Sequence, residues 1–561
     1  MDRPEETDVL GTTLGIAIEP TYFDLEHVPI DPEAIVAMAV RCHANTLRVG
    51  MFSHQGHAYF PSVIAPHAPG LDGRDLLRAF QTACADAGVT LAIYMNSKFD
   101  TGRYHEHPDW AIRYRGEVPV HEAEADLHIH PMCPNSPYLD YFRSLIEEVA
   151  ENYGPEIIYI DNFGLSPVCE CLFCTEAFQR DAGMERPKKV DWTDSVWQSY
   201  RAWSRDRNFV LARRLVDAVD KVKPGTLVVF NRGHFRTMTG HGNPEDIHTF
   251  AHEIADNVHG ESAVRFYGQS FAHINEQCMF GRAIDTPMWT WVEYPLLPWS
   301  HVSAPPSEVK IKAAKVLANG GRPMVWNVPR APDCDERGLE GLADVYGPAS
   351  QYPEYFSGAE HVPFLGVLYS SQTMEDYCRG DSRRFEACQR EVSGILALAR
   401  HAHLPVDVLL DRHIVGDNLG RYGALVLPNA AGLSEGQCAA IRAFVEQGGG
   451  LIATGESSLF NDAGERRGDF ELADVLGARF VETLRTQNAG KSTGYSTTEG
   501  EHPATETLGP GFRLPAGGIY HAVEIAGSAT RLSTLLTRCR YYCDHPGQPT
   551  GHPALIANEF G

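Results

Sequence analysis

The sequence predicts an α/β protein: a (β/α)8 barrel, then a flavodoxin-like α/β domain, then a small C-terminal β-domain. Three observations predict it. Short β-prone runs alternate with helical stretches over roughly the first 330 residues, the size of eight βα units. Polar residues stand just after those runs, namely Asn96, Asp161, Asn231, Glu261, Glu293 and Asn327, and in such a barrel the strand C-terminal ends build the active site. A second βα alternation begins near Pro363, and the helical period fades after residue 485. The expected parts are therefore 1–360, 361–490 and 491–561.

The barrel reads in order as follows. Thr13–Ile18 is the first strand, and Asp31–His43, with Ile35, Met38 and Ala39 at helical spacing, is its helix. Thr46–Phe52 is followed by the helix Leu71–Ala87. Thr90–Met95 ends at Asn96, and Ser136–Asn152 carries Tyr138, Phe142, Leu145 and Val149 on one face. Ile157–Ile160 is the fourth strand and Trp197–Val222 a long helix. Leu227–Phe230 ends at Asn231. The sixth strand is placed at Glu253–Val258, before His259-Gly260-Glu261. Met288–Val292 ends at Glu293, the helix Ser307–Asn319 follows, and Met324–Asn327 completes the set. In the second part, Phe364–Tyr369, Val406–Leu410, Ala424–Leu427 and Leu451–Ala453 read as strands, with helices at Phe385–His401 and Glu435–Gln447. Gly448-Gly449-Gly450 stops the second helix. His502–Gly561 reads as short strands with Gly and Pro turns, and the chain stops inside that pattern, as a truncated β-domain would.

At 561 residues the chain exceeds one hydrophobic core. A net charge of −25 argues against nucleic acid as a partner. The first residues form no secretory signal and no apolar run spans a bilayer, so a cytoplasmic protein without a membrane partner is expected. Thirteen cysteines without a repeating framework fit reduced thiols, a few of them reserved for a metal.

The richest stretch is Ile157–Cys174. A β-prone run ends in Asp161, Asn162-Phe163-Gly164 turns the chain, and Cys169-x-Cys171-x-x-Cys174 follows. A strand-end acid suits catalysis and the close thiols suit a metal clip. There is no H-E-x-x-H, no Walker A loop and no G-x-G-x-x-G, so no organic cofactor is expected. Cys378, Cys388 and Cys438 lack the strand-to-helix elbow of a cysteine nucleophile, so the second part reads as structural or oligomerising.

His130-Pro-Met-Cys133-Pro-Asn-Ser-Pro, the Asp161-Asn162-Phe163-Gly164 turn and the cysteine loop together resemble the family 42 β-galactosidases. That resemblance implies a barrel, a trimerisation domain and a β-domain. It also implies a structural zinc on Cys133, Cys169, Cys171 and Cys174. One residue departs from the pattern: the family has a Glu acid/base after the Asn, and here Phe163 stands there. The chain is in this respect more similar to α-L-fucosidase-like barrels with a trimerisation-type domain, which Tyr59-Phe-Pro-Ser62 and Ala314–Gly321 also resemble. Those barrels imply Asp161 as nucleophile and a later carboxylate, Glu261, as acid/base. Glu293 is the rival, since it falls where the family 42 nucleophile falls.

Retaining glycoside hydrolysis needs two carboxylates about 5–5.5 Å apart, an inverting enzyme more. Sugar sites need flat apolar faces and planar polar groups. Trp289, Trp291, Trp326 and Tyr59 are candidates for the first, and His54, His57, Asn96, Asn231 and Arg232 for the second. Trp299 and Tyr267 are further aromatic candidates. The expected activity is an exo-acting glycosidase on a glycoside or oligosaccharide, retaining and α-L-fucosidase-like. A β-galactosidase-like hydrolase using Glu293 is one alternative, and a carbohydrate-binding protein on a dead barrel another. The resemblance implies a homo-oligomer, with a trimer ahead of a dimer.

Overall fold

A computed structural model describes residues 7–18, 30–119, 121–124, 127–165, 169–235, 244–328, 334–415, 417–485, 487–488, 491–492, 494–516, 519–537, 539, 545 and 547–561. The chain forms two compact units, Met1–His361 and Val362–Gly561.

The first unit is a closed parallel barrel. Its strands are β1 (Gly15–Ile18), β2 (Thr46–Phe52), β3 (Thr90–Asn96), β4 (Ile157–Asp161), β5 (Leu227–Phe230), β6 (Asn257–Glu261), β7 (Trp289–Glu293) and β8 (Arg322–Trp326). Each pairs with its sequence neighbours, and β1 closes on β8 with Gly15 opposite Met324. A helix follows each strand: α1 (Pro32–Arg41), α2 (Leu76–Ala87), α3 (Tyr138–Tyr153), α4 (Ser195–Val222), α5 (Pro244–Glu253), α6 (Phe271–Ala283), α7 (Pro306–Ala318) and α8 (Gly338–Gln351). Local chemistry starts several of them. Asp31, Asp75 and Asp194 cap α1, α2 and α4 by accepting backbone N–H groups of the first turn. Strands β2 and β4 are buried along their whole length, as parallel strands covered on both faces are. Ala17, Tyr94, Tyr159, Trp289 and Met324 fill the barrel interior.

The sixth strand corrects the expectation. Glu253 ends α5 and the strand starts only at Asn257, running through His259 and Gly260 to Glu261. Ile254 and Ala255, which draw a sequence reading toward a strand there, lie in the turn before it. His259 is buried within the strand, where barrel packing overrides its weak β-propensity.

In the second unit β9 (Leu365–Leu368), β10 (Val406–Leu409), β11 (Ala424–Leu427) and β12 (Gly450–Ala453) form a parallel sheet in the order β10-β9-β11-β12. Helices α9 (Ser382–His401) and α10 (Glu435–Glu446) alternate with these strands. This is the doubly wound, flavodoxin-like order. A capping box of Ser434 and Gln437 starts α10. The remaining strands are antiparallel: Ala478–Arg485 pairs with Ile519–Ile525, Gln487–Asn488 with Lys491–Ser492, and four more form a sheet over Gly494–Ala557. Among the described residues no helix is long and apolar enough to cross a membrane.

Candidate active site and cysteine cluster

Asp161 ends β4 beside Asn96 of β3. Its carbonyl accepts from the Ser97 amide at 3.0 Å and the Ser97 hydroxyl at 2.6 Å, which fixes the strand end. Asn162 takes a left-handed φ of 58°, accessible to Asn at little cost, and this folds its amide groups back on Asp161. The carboxylate accepts four hydrogen bonds. Oδ1 takes them from the Asn162 backbone at 2.8 Å and Asn231 Nδ2 at 2.7 Å; Oδ2 takes them from Tyr94 Oη at 2.5 Å and Asn162 Nδ2 at 2.7 Å. Lys98 is the cation coupled to it: burial lowers the ammonium below its usual range, and Asp161 opposes that shift.

Asn231 is the hinge of the site. Its Nδ2 donates both to Asp161 Oδ1 and, at 2.8 Å, to Glu261 Oε1. By these two bond lengths Asp161 Oδ1 and Glu261 Oε1 are no more than about 5.5 Å apart. Tyr267 Oη donates to the other oxygen of Glu261 at 2.5 Å. Asp161 and Glu261 are thus brought together from the ends of β4 and β6, across β5.

Glu293 is placed differently. It is 0% exposed. Its Oε1 accepts from the Arg265 backbone N–H, and Oε2 lies 3.6 Å from Lys312 Nζ. Phe163, which follows Asn162, is also buried and packs edge-on against Phe230 with ring centroids 5.6 Å apart.

The candidate sugar-binding residues divide into two groups. The buried Trp291 and the half-buried Trp326 meet with ring centroids 4.8 Å apart and planes tilted by 47°, and Phe266 and Tyr267, both about half exposed, extend the aromatic surface from the loop after β6. His54 is half-buried and lies 3.3 Å from Tyr94 Oη. His57 is half-buried too, and burial lowers its imidazole below the usual range. Trp299 is exposed. The second group is enclosed. Trp289 has no exposure and donates to Thr13 inside the barrel; Asn96 closes the turn to Phe99; Tyr59 is buried. Arg232 donates to the Phe163 carbonyl and lies over the Phe250 ring, and burial brings it down to about 10.

Several neighbours of Asp161 escape sequence reasoning. Tyr94 stacks on Tyr159, Arg48 lies over both rings, and Tyr159 Oη is 2.6 Å from His259 Nδ1. Burial, with Arg48 adding, pushes His259 well below its usual range. The one available signal was Arg48, a charge inside an otherwise apolar strand. Tyr94 reads as ordinary strand filling.

Cys133, Cys169, Cys171 and Cys174 are all buried, and their sulfurs lie within 4.8 Å of one another. A tetrahedral zinc site with bonds of about 2.3 Å has sulfur–sulfur edges of about 3.8 Å. The Cys133–Cys174 and Cys133–Cys169 separations, 3.5 and 4.0 Å, bracket that edge, so the donor set fits a closed metal site. Donation by Cys133, Cys171 and Cys174 lowers the Cys169 thiol, while burial raises Cys133. The cluster joins the loops that follow β3 and β4. Met132 donates to the Lys98 carbonyl at 2.7 Å, and the Cys169 carbonyl accepts from Tyr200 at 3.1 Å.

A family model described as Hypothetical glycosyl hydrolase 6 matches residues 31–162. No curated protein matches the chain. Among solved structures, α-L-fucosidase isoenzyme 2 from Paenibacillus thiaminolyticus is similar with a TM-score of 0.76 at 19% identity, over 97% of this chain and 79% of that one. A GH42 β-galactosidase from G. stearothermophilus is similar with a TM-score of 0.71 at 16% identity, over 100% and 85%. The β-galactosidase from Bacillus circulans sp. alkalophilus is similar with a TM-score of 0.71 at 15% identity, over 98% and 84%. The family match and the shared fold relate the chain to glycoside hydrolases.

Proposed function

We propose that this relative of glycoside hydrolases is itself an exo-acting, retaining glycosidase of the cytoplasm, with Asp161 as nucleophile and Glu261 as acid/base. The observation that carries the reading is the Asn231 amide bonded to both carboxylates, which keeps Asp161 Oδ1 and Glu261 Oε1 within about 5.5 Å of each other. Inverting pairs stand about 6.5–9.5 Å apart to admit a water between acid and base, and a retaining pair must be closer. Asp161 attacks the anomeric carbon while Glu261 gives its proton to the glycosidic oxygen, which leaves as the alcohol. Glu261 then takes a proton from water, and that water cleaves the glycosyl ester and frees Asp161. Trp291, Trp326 and Tyr267 offer ring faces to the sugar; His54 and Asn231 offer hydrogen bonds.

The likeness to an α-L-fucosidase makes α-L-fucosides the first substrates to test, with β-galactosides second. A panel of nitrophenyl glycosides identifies the sugar. Asp161→Asn should then lower turnover by several orders of magnitude while sugar binding survives. Azide should restore turnover to Asp161→Gly, because a small anion fits the vacated space. If Asp161→Asn stays near full activity while Glu293→Gln is dead and azide-rescued, the nucleophile is Glu293. Sugar binding without turnover on any glycoside would favour a binding protein instead. The four thiolates would hold zinc in a structural role, and the 361–490 region would assemble the chains.

A further inference from the structure

Four charged groups meet behind the end of β7, two of them, Glu293 and Lys312, away from solvent. Lys312 of α7 and Glu293 are both 0% exposed. Lys312 donates to the Glu293 carbonyl at 3.2 Å and pairs with Glu308 at 2.8 Å. Glu308 also accepts both guanidinium donors of Arg265, at 2.9 and 2.6 Å. Arg265 is thus held twice, its backbone N–H by Glu293 and its guanidinium by Glu308. Two residues further on, Tyr267 donates to Glu261.

The arrangement is costly for a plain structural contact. A buried carboxylate needs a counter-charge and donors to offset its desolvation, and here Lys312 and the Arg265 amide supply them. What the cost secures is the turn after β6. The Tyr267 amide bonds back to Ala263 at 3.3 Å, so a turn fixed at Arg265 fixes the start of the Tyr267 side chain. Tyr267 is half exposed, and its ring meets Phe266 and Trp291 at 4.8 and 6.2 Å, so the position of the turn bears directly on where its hydroxyl meets Glu261.

We propose that Glu293 is a positioning residue for the proton donor: it pins the turn after β6 so that Tyr267 holds the Glu261 carboxyl toward the glycosidic oxygen. The proposal rests on the reading of Glu261 as acid/base. Among the described residues, and besides Tyr267, the titratable group facing Glu261 is Asp161 through Asn231; those facing Glu293 are Lys312 and Glu308, which Arg265 joins.

The test uses the full chain and the sugar that the panel identifies. Glu293→Ala should lose about tenfold more kcat/KM on an alkyl glycoside than on a dinitrophenyl glycoside, since only the poor leaving group needs the proton. The basic limb of its pH profile should move, and azide should not rescue it. Glu293→Gln keeps an acceptor for the Arg265 amide and should recover most of the difference. Tyr267→Phe should show the same leaving-group dependence, and the double variant should cost no more than the worse single one. An equal loss on all leaving groups with an unmoved pH profile would mean a merely structural role and overturns the proposal. So does a Tyr267→Phe variant that matches wild type, even where Glu293→Ala fails to fold. Azide rescue of Glu293→Ala overturns this proposal and the Asp161 assignment together. If Glu261→Gln keeps full activity on alkyl glycosides, the underlying reading fails whatever the Glu293 variants do.

Discussion

Asp100 shows how a single side chain near the site can govern stability. It is fully buried, its Oδ1 caps the next helical turn through the Arg103 amide at 2.8 Å, and its Oδ2 has no hydrogen-bond partner among the described residues. Gly56, with φ 86°, lies so close that a Cβ there would overlap the Asp100 carboxylate; the loop of His54 and His57 therefore packs directly on it. Burial raises Asp100 to about 7, with Arg103 opposing and Glu106 adding. Below pH about 4 folded and unfolded chains both hold this proton, and the group contributes nothing. Between about 4 and 7 the unfolded chain releases it first, so stability falls as pH rises; above 7 the deficit is constant. Asp100→Asn should remove this slope. Thermal melts of variant and wild type should coincide near pH 4 and separate by pH 8, with the variant melting higher; a gap that does not grow with pH would refute the buried acid. None of this was visible in the sequence, where Asp100 is one more loop acid. Asp161 and Glu261 were legible because they follow strands. Tyr94 and His259 were not, because in a strand a polar side chain facing the barrel interior looks like any other alternate residue.

At the scale of the element, the cysteine cluster joins the loops after β3 and β4. The C-x-C-x-x-C spacing announced the loop, and Cys133 entered only through a family likeness, since 36 residues separate it from Cys169 and spacing alone says nothing at that distance. Folding brings it in through the Trp110 carbonyl, which accepts the Cys133 amide at 2.8 Å. Purified protein should carry about one zinc per chain, and elemental analysis under reducing conditions checks this. Chelation should increase hydrogen exchange in 97–100 and 130–135 first, and activity should fall because Asp161 loses the support of Ser97 and Lys98, not because the metal takes part in bond cleavage. Unchanged exchange after metal removal would separate the cluster from the site. The sixth strand marks the opposite limit of legibility. Asn257-Val258-His259-Gly260-Glu261 has one β-branched residue, so local preference points to the preceding Ile254, and only closure of the barrel settles the register.

At the scale of the molecule, the order of parts was readable because βα alternation is a repeated signal: a missed boundary in one unit does not disturb the count of eight. Assembly is the property that this order leads to. The unit Val362–Gly561 exposes Val362 at 81%, Leu398 at 65% and Ile452 at 52%, the last on the edge strand β12, whose outer backbone groups face no strand of this sheet. Exposed apolar side chains at an unpaired edge favour burial against another chain. On the proposal that the flavodoxin-like part assembles the chains, a closed ring of three is the expected state, each chain using two different patches that return on themselves at the third subunit. Light scattering at micromolar concentration should give three chains of 62.0 kDa. Ile452→Glu, which places a charge on the edge strand without entering the barrel, should shift the mass toward one chain and leave the fold of each unit intact by circular dichroism. A monomer in the unmodified protein would refute the assembly, whereas a dimer would keep the interface and replace the ring with a two-fold.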